Sequence, residues 1–136
     1  MNIYEKLELK KVINGSGKMT ALGVSKVSDS VVEKMKEAGQ NFVVIDSLID
    51  KAGEKISSYT GGEDSCVTSS ASAGISLSIA GIITEGKLGL IEKMPNSSGL
   101  KNKVLIQKGH MINYGAPVET MIRLGGGIPK EFGQSN

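Results

Sequence analysis

The run SSASAG, residues 69–74, is the stretch of this sequence best suited to hold a charged ligand. Small side chains between a strand end and a helix start let backbone N–H groups approach an anion, and the helix dipole favours its negative charge. Ser69, Ser70 and Ser72 can add hydroxyl donors, so a phosphate fits there. The same residues read equally well as a helix N-cap with tight helix–sheet packing. His110, the single histidine, follows the apolar run 103–107 through Lys108 and Gly109 and so emerges at the carboxyl end of a strand. Ligands in open α/β sheets collect at that edge, although a lone histidine is by itself more often structural. One histidine and one cysteine give no ligand set for a metal.

Other tempting residues carry less. NGSGKMT, residues 14–20, fails as a P-loop because Val12 and Met19 stand where Gly and Ser or Thr are needed, and fails as GxGxxG at Thr20. It reads as a Gly-rich turn. Cys66, inside an apolar run, reads as a small buried residue, and Glu119 with Arg123, four apart, as a solvated ion pair without a catalytic role.

The elements that position these residues are set by periodicity. Val27, Val31, Val32 and Met35 predict a helix over 28–38, closed by Gly39. Ile45, Leu48, Ile49, Ala52, Ile56 and Tyr59 predict a second, ended by Gly61 and Gly62. From Asp64 the pattern changes: a short strand at 65–68, the SSASAG turn, an apolar helix over 75–84, and a further turn or two of helix within 87–94. Then come a strand at 103–107, a helix at 116–124 with Pro117 in its first turn, the glycines 125–127, and a strand at 128–132. This β-α-β-α-β order predicts an α/β fold with a mostly parallel sheet and covering helices.

Composition bounds the function. The 136 residues, 39% hydrophobic and 22% charged, have the size and character of one soluble globular domain. The net charge of +2, from 16 basic and 14 acidic residues spread along the chain, gives no basic face for nucleic acid. One cysteine fits a reducing compartment. The start MNIYEKLELKK lacks the apolar core of a signal peptide, and 71–84 is too short and serine-rich to span a bilayer, so the expectation is a cytoplasmic protein with no membrane partner.

Three segments in order resemble the selenocysteine synthase-like branch of fold-type-I pyridoxal-phosphate enzymes. KVINGSGKMTALG (11–23) looks like that family's opening Val-Ile-Asn-x-x-Gly segment, YTGGEDSCVTSSASAG (59–74) like its strand and phosphate loop, and KEFGQSN (130–136) like its Glu-x-Gly-x-x-Asn stretch. QKGHMINYGAPVETMIRLGGG (107–127) is similar to the subgroup containing D-glucosaminate-6-phosphate ammonia-lyase. The resemblance implies the incomplete N-terminal part of an aminotransferase-like large domain. Residues 1–62 would be an N-terminal helical segment and 63–136 the truncated start of the pyridoxal-phosphate-binding domain.

Carried over residue by residue, the resemblance gives the cofactor phosphate to Ser70, Ala71 and Ser72, with Ser69 supporting the turn, and stacks His110 on the pyridine ring. Asn14 and Asn136 fall in motif-like segments without an assigned role. The family's Schiff-base lysine and the carboxylate facing the pyridine nitrogen would lie beyond residue 136, so no catalytic residue is assigned. In such enzymes the cofactor ring accepts electrons as the α-proton leaves. The expected function is thus a truncated pyridoxal-phosphate-dependent lyase. In full-length form, expected to be a homo-oligomer, it would eliminate water and ammonia from a phosphorylated amino sugar acid such as D-glucosaminate 6-phosphate. The alternatives are an L-seryl-tRNA selenium transferase, which the even charge distribution disfavours, and a non-catalytic phosphate-binding or assembly module.

Overall fold

A computed structural model describes residues 2–134. The chain divides into two compact units, Met1–Val44 and Ile45–Asn136. The division after residue 62 that the resemblance implies is of a different kind, one of proposed cofactor role. By contacts, the long helix over 45–60 belongs with the residues after that boundary.

In the first unit, helix α1 (Ile3–Lys6) is held by a capping box. The Asn2 side chain accepts from the Glu5 N–H at 2.9 Å while the Glu5 carboxylate accepts from the Asn2 N–H at 2.9 Å. Residues 14–17 form the expected turn: Asn14 Oδ1 accepts from the Ser16 N–H and its amide donates to the Gly17 carbonyl. A 3-10 turn, Thr20–Leu22, is closed by Gly23 at φ +81° and by an antiparallel bridge between Met19 and Val24. Helix α2 (Asp29–Gly39) occupies the span read from its apolar spacing, yet Val31, Val32 and Met35 all stay exposed.

The second unit begins with helix α3 (Ile45–Thr60). Gly53 faces residue 65 so closely that a Cβ there would stand 2.5 Å from the Ser65 carbonyl oxygen. Ser57 and Ser65 add a hydroxyl–hydroxyl bond at 3.0 Å. Helix α4 (Ala71–Thr84) and the short α5 (Leu88–Ile91) come next, then strand β1 (Lys103–Gln107), helix α6 (Val118–Leu124) and strand β2 (Ile128–Phe132). The two strands pair in parallel, from Lys103 opposite Ile128 to Gln107 opposite Phe132, with α6 in the connection that parallel pairing requires.

Residues 125–127 are where this unit is tightest. A Cβ on Gly125 would collide with the Ser76 carbonyl, and one on Gly127 would lie 2.8 Å from both Val104 Cγ2 and Ile122 Cγ2. Gly126, at φ +85°, has the conformation that glycine tolerates best. Its carbonyl accepts from Ser97 Oγ at 2.6 Å, Asn102 donates to the same hydroxyl at 2.9 Å, and the Ile128 N–H donates to the Asn102 carbonyl at 2.7 Å. Ser76 Oγ ties α4 to α6 through the Met121 carbonyl at 2.9 Å.

Three expectations change. Residues 65–68 form no strand, because no neighbouring strand offers them a ladder; both strands of the sheet pair only with each other. Cys66, expected to be buried, is exposed for the same reason. The helix expected over 75–84 begins earlier, at Ala71, since Ser70 caps it and alanine and serine are tolerated in a first turn.

Burial is sparse. The chain exposes 11578 Å². One compact monomer of its mass would expose about 6,800 Å², and two separate compact bodies of these sizes about 8,100 Å². Among the described residues, Ile83 at 9% exposure and Ile122 at 3% are the buried apolar side chains.

Candidate functional site

Approach to the α4 N-terminus is set by Thr68 and Ser70. Ser70 is extended, at φ −163° and ψ 161°, and its hydroxyl accepts from the Ala73 N–H at 3.1 Å. Its carbonyl accepts the first helical bond from the Gly74 N–H at 3.0 Å and a second from Thr68 Oγ1 at 2.9 Å. Thr68 thus fixes the turn from the preceding segment, a role its sequence position did not advertise.

These bonds determine which donors remain. The first N–H groups of a helix have no carbonyl four residues back. Here the Ala73 N–H is taken by the cap, while those of Ala71 and Ser72 have no acceptor among the described residues. The Ser69 and Ser72 side chains are exposed beside them, and the first turn of α4 carries no acidic residue to compete for the dipole. The nearest carboxylate upstream, Asp64, is turned onto the Ser65 N–H at 2.7 Å. The arrangement therefore offers two backbone amides and serine hydroxyls as donors to an anion. The Ser70 hydroxyl is committed to the cap as an acceptor and retains its own proton to donate.

His110 lies where the sequence placed it, in a 3-10 turn, Lys108–His110, directly after β1. The parallel register ends both strands together, Gln107 opposite Phe132, so this turn and Gly133 leave the sheet from the same edge. The imidazole is exposed. No hydrogen bond joins it to the α4 N-terminus among the described residues. Asn14 belongs to the other unit, where it serves its own turn, and Asn136 lies outside the described residues. Glu119 and Arg123 form the expected ion pair at 3.0 Å.

Two surface hollows, about 580 Å³ and 430 Å³, sit elsewhere in the second unit. The first is polar, bordered by Asn96, Ser97, Asn102, Arg123 and Lys130, and the second is apolar, between α4, α5 and Leu124. Neither is lined by residues 69–72 or His110. Donor chemistry, rather than enclosure, marks the α4 N-terminus as the candidate anion site, because a helix N-terminus binds through backbone amides whether or not walls surround it. Among the described residues no three His, Cys, Asp or Glu side chains converge as a metal site, and no helix is long and apolar enough to cross a membrane.

Comparison with known proteins gives this geometry a setting. Over 135 residues, 99% of the chain, it is 53% identical to the D-glucosaminate-6-phosphate ammonia lyase of Salmonella typhimurium. It is 35% identical over 135 residues to a 5'-C-glycyluridine monooxygenase-decarboxylase from a Streptomyces species. It spans 37% and 34% of the lengths of these relatives. A solved structure of D-glucosaminate-6-phosphate ammonia-lyase superposes on the whole chain with a TM-score of 0.96 at 52% identity, the chain covering 37% of it. No family model matches. The chain is thus similar along its whole length to just over a third of an ammonia lyase, in sequence and in backbone.

Proposed function

We propose that this chain carries the phosphate-binding start of a pyridoxal-phosphate-dependent ammonia-lyase acting on a phosphorylated 2-amino-2-deoxy sugar acid of the D-glucosaminate 6-phosphate kind. The observation that carries this reading is the 53% identity over 99% of the chain, with a backbone agreeing at a TM-score of 0.96. Residues 63–136 contribute the cofactor end of the site. The open Ala71 and Ser72 amides, with Ser69, Ser70 and Ser72, take the cofactor phosphate, and this fits the uncontested helix N-terminus. His110 supplies a flat face at the carboxyl edge of the sheet, where it would orient the ring. When bound, the cofactor supplies an electron sink that lets an α-proton leave.

What this chain contributes is binding and orientation. The dipole and amides of α4 hold a dianion without a charged side chain, and His110 limits rotation about that anchor. None of its lysines is assigned the covalent attachment of the cofactor. A selenium transferase is not favoured: neither relative is named as one, and no basic face for a tRNA stands out in the charge pattern. A cytoplasmic location suits the single exposed cysteine.

The test is incubation with pyridoxal phosphate, borohydride reduction and mapping of adducts by mass spectrometry, alongside a phosphate titration followed by amide NMR. The expected result is scattered, substoichiometric lysine labelling together with shifts confined to residues 69–75. Stoichiometric labelling of a single lysine would overturn the assignment of attachment to residues elsewhere in the fold. Unmoved amides at 69–75 would remove the phosphate site.

A further inference from the structure

One face of the sheet and one groove in the second unit carry apolar side chains that stand open. Along β1 the side chains alternate, with Val104 and Ile106 partly covered and Leu105 72% exposed. The register puts Leu105 beside Lys130, flanked on the same face by Ile128 at 46% and Phe132 at 48% exposure. Parallel sheets occur almost only with both faces covered, and two strands alone are marginal in water. The groove of about 430 Å³ between α4, α5 and α6 is likewise apolar, opening past Leu77 at 58% and Leu124 at 61% exposure.

We infer that this sheet face and this groove are the docking surface for the part of the ammonia-lyase fold outside the stretch the chain shares, and that they bind it even when it is supplied as a separate polypeptide. Two facts identify the occupant. The solved lyase presents the same backbone across the whole of this chain, yet that stretch is 37% of it. Its remaining chain, well over half of its length, is the occupant that the inference assigns to these surfaces. The inference rests on the shared fold behind the functional reading above and not on the cofactor chemistry, so the two can fail separately.

The experiment mixes this chain with the separately expressed remainder of the Salmonella lyase, without cofactor, and follows mass by light scattering and amide protection by hydrogen exchange. The expected result is a one-to-one complex in which the amides of β1 and β2 gain protection. Leu105→Asp and Leu77→Asp, both at exposed positions whose loss leaves the chain's own packing intact, should each weaken association about tenfold or more. Either of two results would overturn the inference: the chain pairs with a second copy and ignores the remainder, or the complex forms with unchanged affinity in both variants. A complex that forms but gives no amide shifts at 69–75 with phosphate upholds the docking surface and removes the phosphate site.

Discussion

Ser70 and Ser72 are two residues apart and chemically alike, but only the Ser70 hydroxyl caps α4, so substitution should separate the cap from the proposed phosphate binding. Ser70→Ala removes the acceptor for the Ala73 N–H and is expected to cost about 1 kcal/mol of helix stability as well as phosphate affinity. Ser72→Ala leaves the cap intact and should weaken phosphate binding alone, read by NMR titration against helicity from circular dichroism. At the other end of α4, Glu85 sits in the left-handed region at φ +49°. Its bond to Lys87 at 2.6 Å, and then that lysine's charge, hold its carboxyl below the usual range. The contribution of that pair is present above the unfolded carboxylate pKa and is lost as pH falls through the lower folded value. Both partners are exposed, so the pair counts for little, whereas a non-glycine residue in this conformation costs about 1 kcal/mol. Glu85→Gly should therefore stabilise the end of α4 by up to about 1 kcal/mol, seen as slower amide exchange in its last turn.

Among the elements, the glycines 125–127 let α6 turn directly into β2 against α4 and β1. Gly127→Ala would place a methyl 2.8 Å from Val104 and Ile122 and is expected to destabilise the second unit by about 1–3 kcal/mol. Gly81→Ala, inside α4 with nothing within 4 Å, should instead stabilise it by about 1 kcal/mol. Amide exchange checks the opposite signs without a cooperative transition: faster in β1 and β2 for the first variant, slower in α4 for the second. The contrast also shows how far local pattern can be read. Strand 103–107 is legible to the residue because Val104, Leu105 and Ile106 form a short apolar run between turn signals, strand 128–132 because it follows the glycines 125–127 in a β-α-β order, and α2 and α3 because their apolar spacing is helical. Residues 65–68 have the same strand-like composition, but strand formation needs a neighbour, which no local pattern reports. The exposure of Cys66 is hidden for the same reason. At the candidate site, Ser69–Ser72 and His110 are legible from residue types in order. The Thr68 bond and the Ser97–Asn102–Gly126 knot are not, because they join hydroxyls and amides to carbonyls through turns that no spacing rule encodes.

For the molecule as a whole, the balance between burial and chain entropy decides the behaviour of these 136 residues on their own. Ordering a residue costs roughly 1–2 kcal/mol of backbone entropy, and intact domains hold a net margin of only about 5–15 kcal/mol. The margin comes from apolar burial at about 25 cal/mol per Å². Here the chain leaves exposed several thousand Å² more than compact bodies of its size would, and Val31, Leu48, Leu77, Leu105 and Phe132 are among the apolar side chains left in water. A shortfall of even about 1,000 Å² of apolar surface forfeits about 25 kcal/mol, more than the whole margin. Secondary structure can persist under these conditions, since α3 is long and amphipathic and α4 is long and capped by Ser70, while fixed tertiary packing cannot be sustained by Ile83 and Ile122 alone. The isolated chain is therefore expected to show far-ultraviolet helicity without a sharp thermal transition, to bind a hydrophobic dye, and to associate as its concentration rises, because the open edges of β1 and β2 and the apolar helix faces have no other partner among the described residues. Scanning calorimetry with sedimentation velocity measures both properties on one sample. A single sharp endotherm from a monodisperse monomer would mean that the chain finds a packing that buries these faces, and it would then have to be regarded as a self-sufficient anion-binding domain.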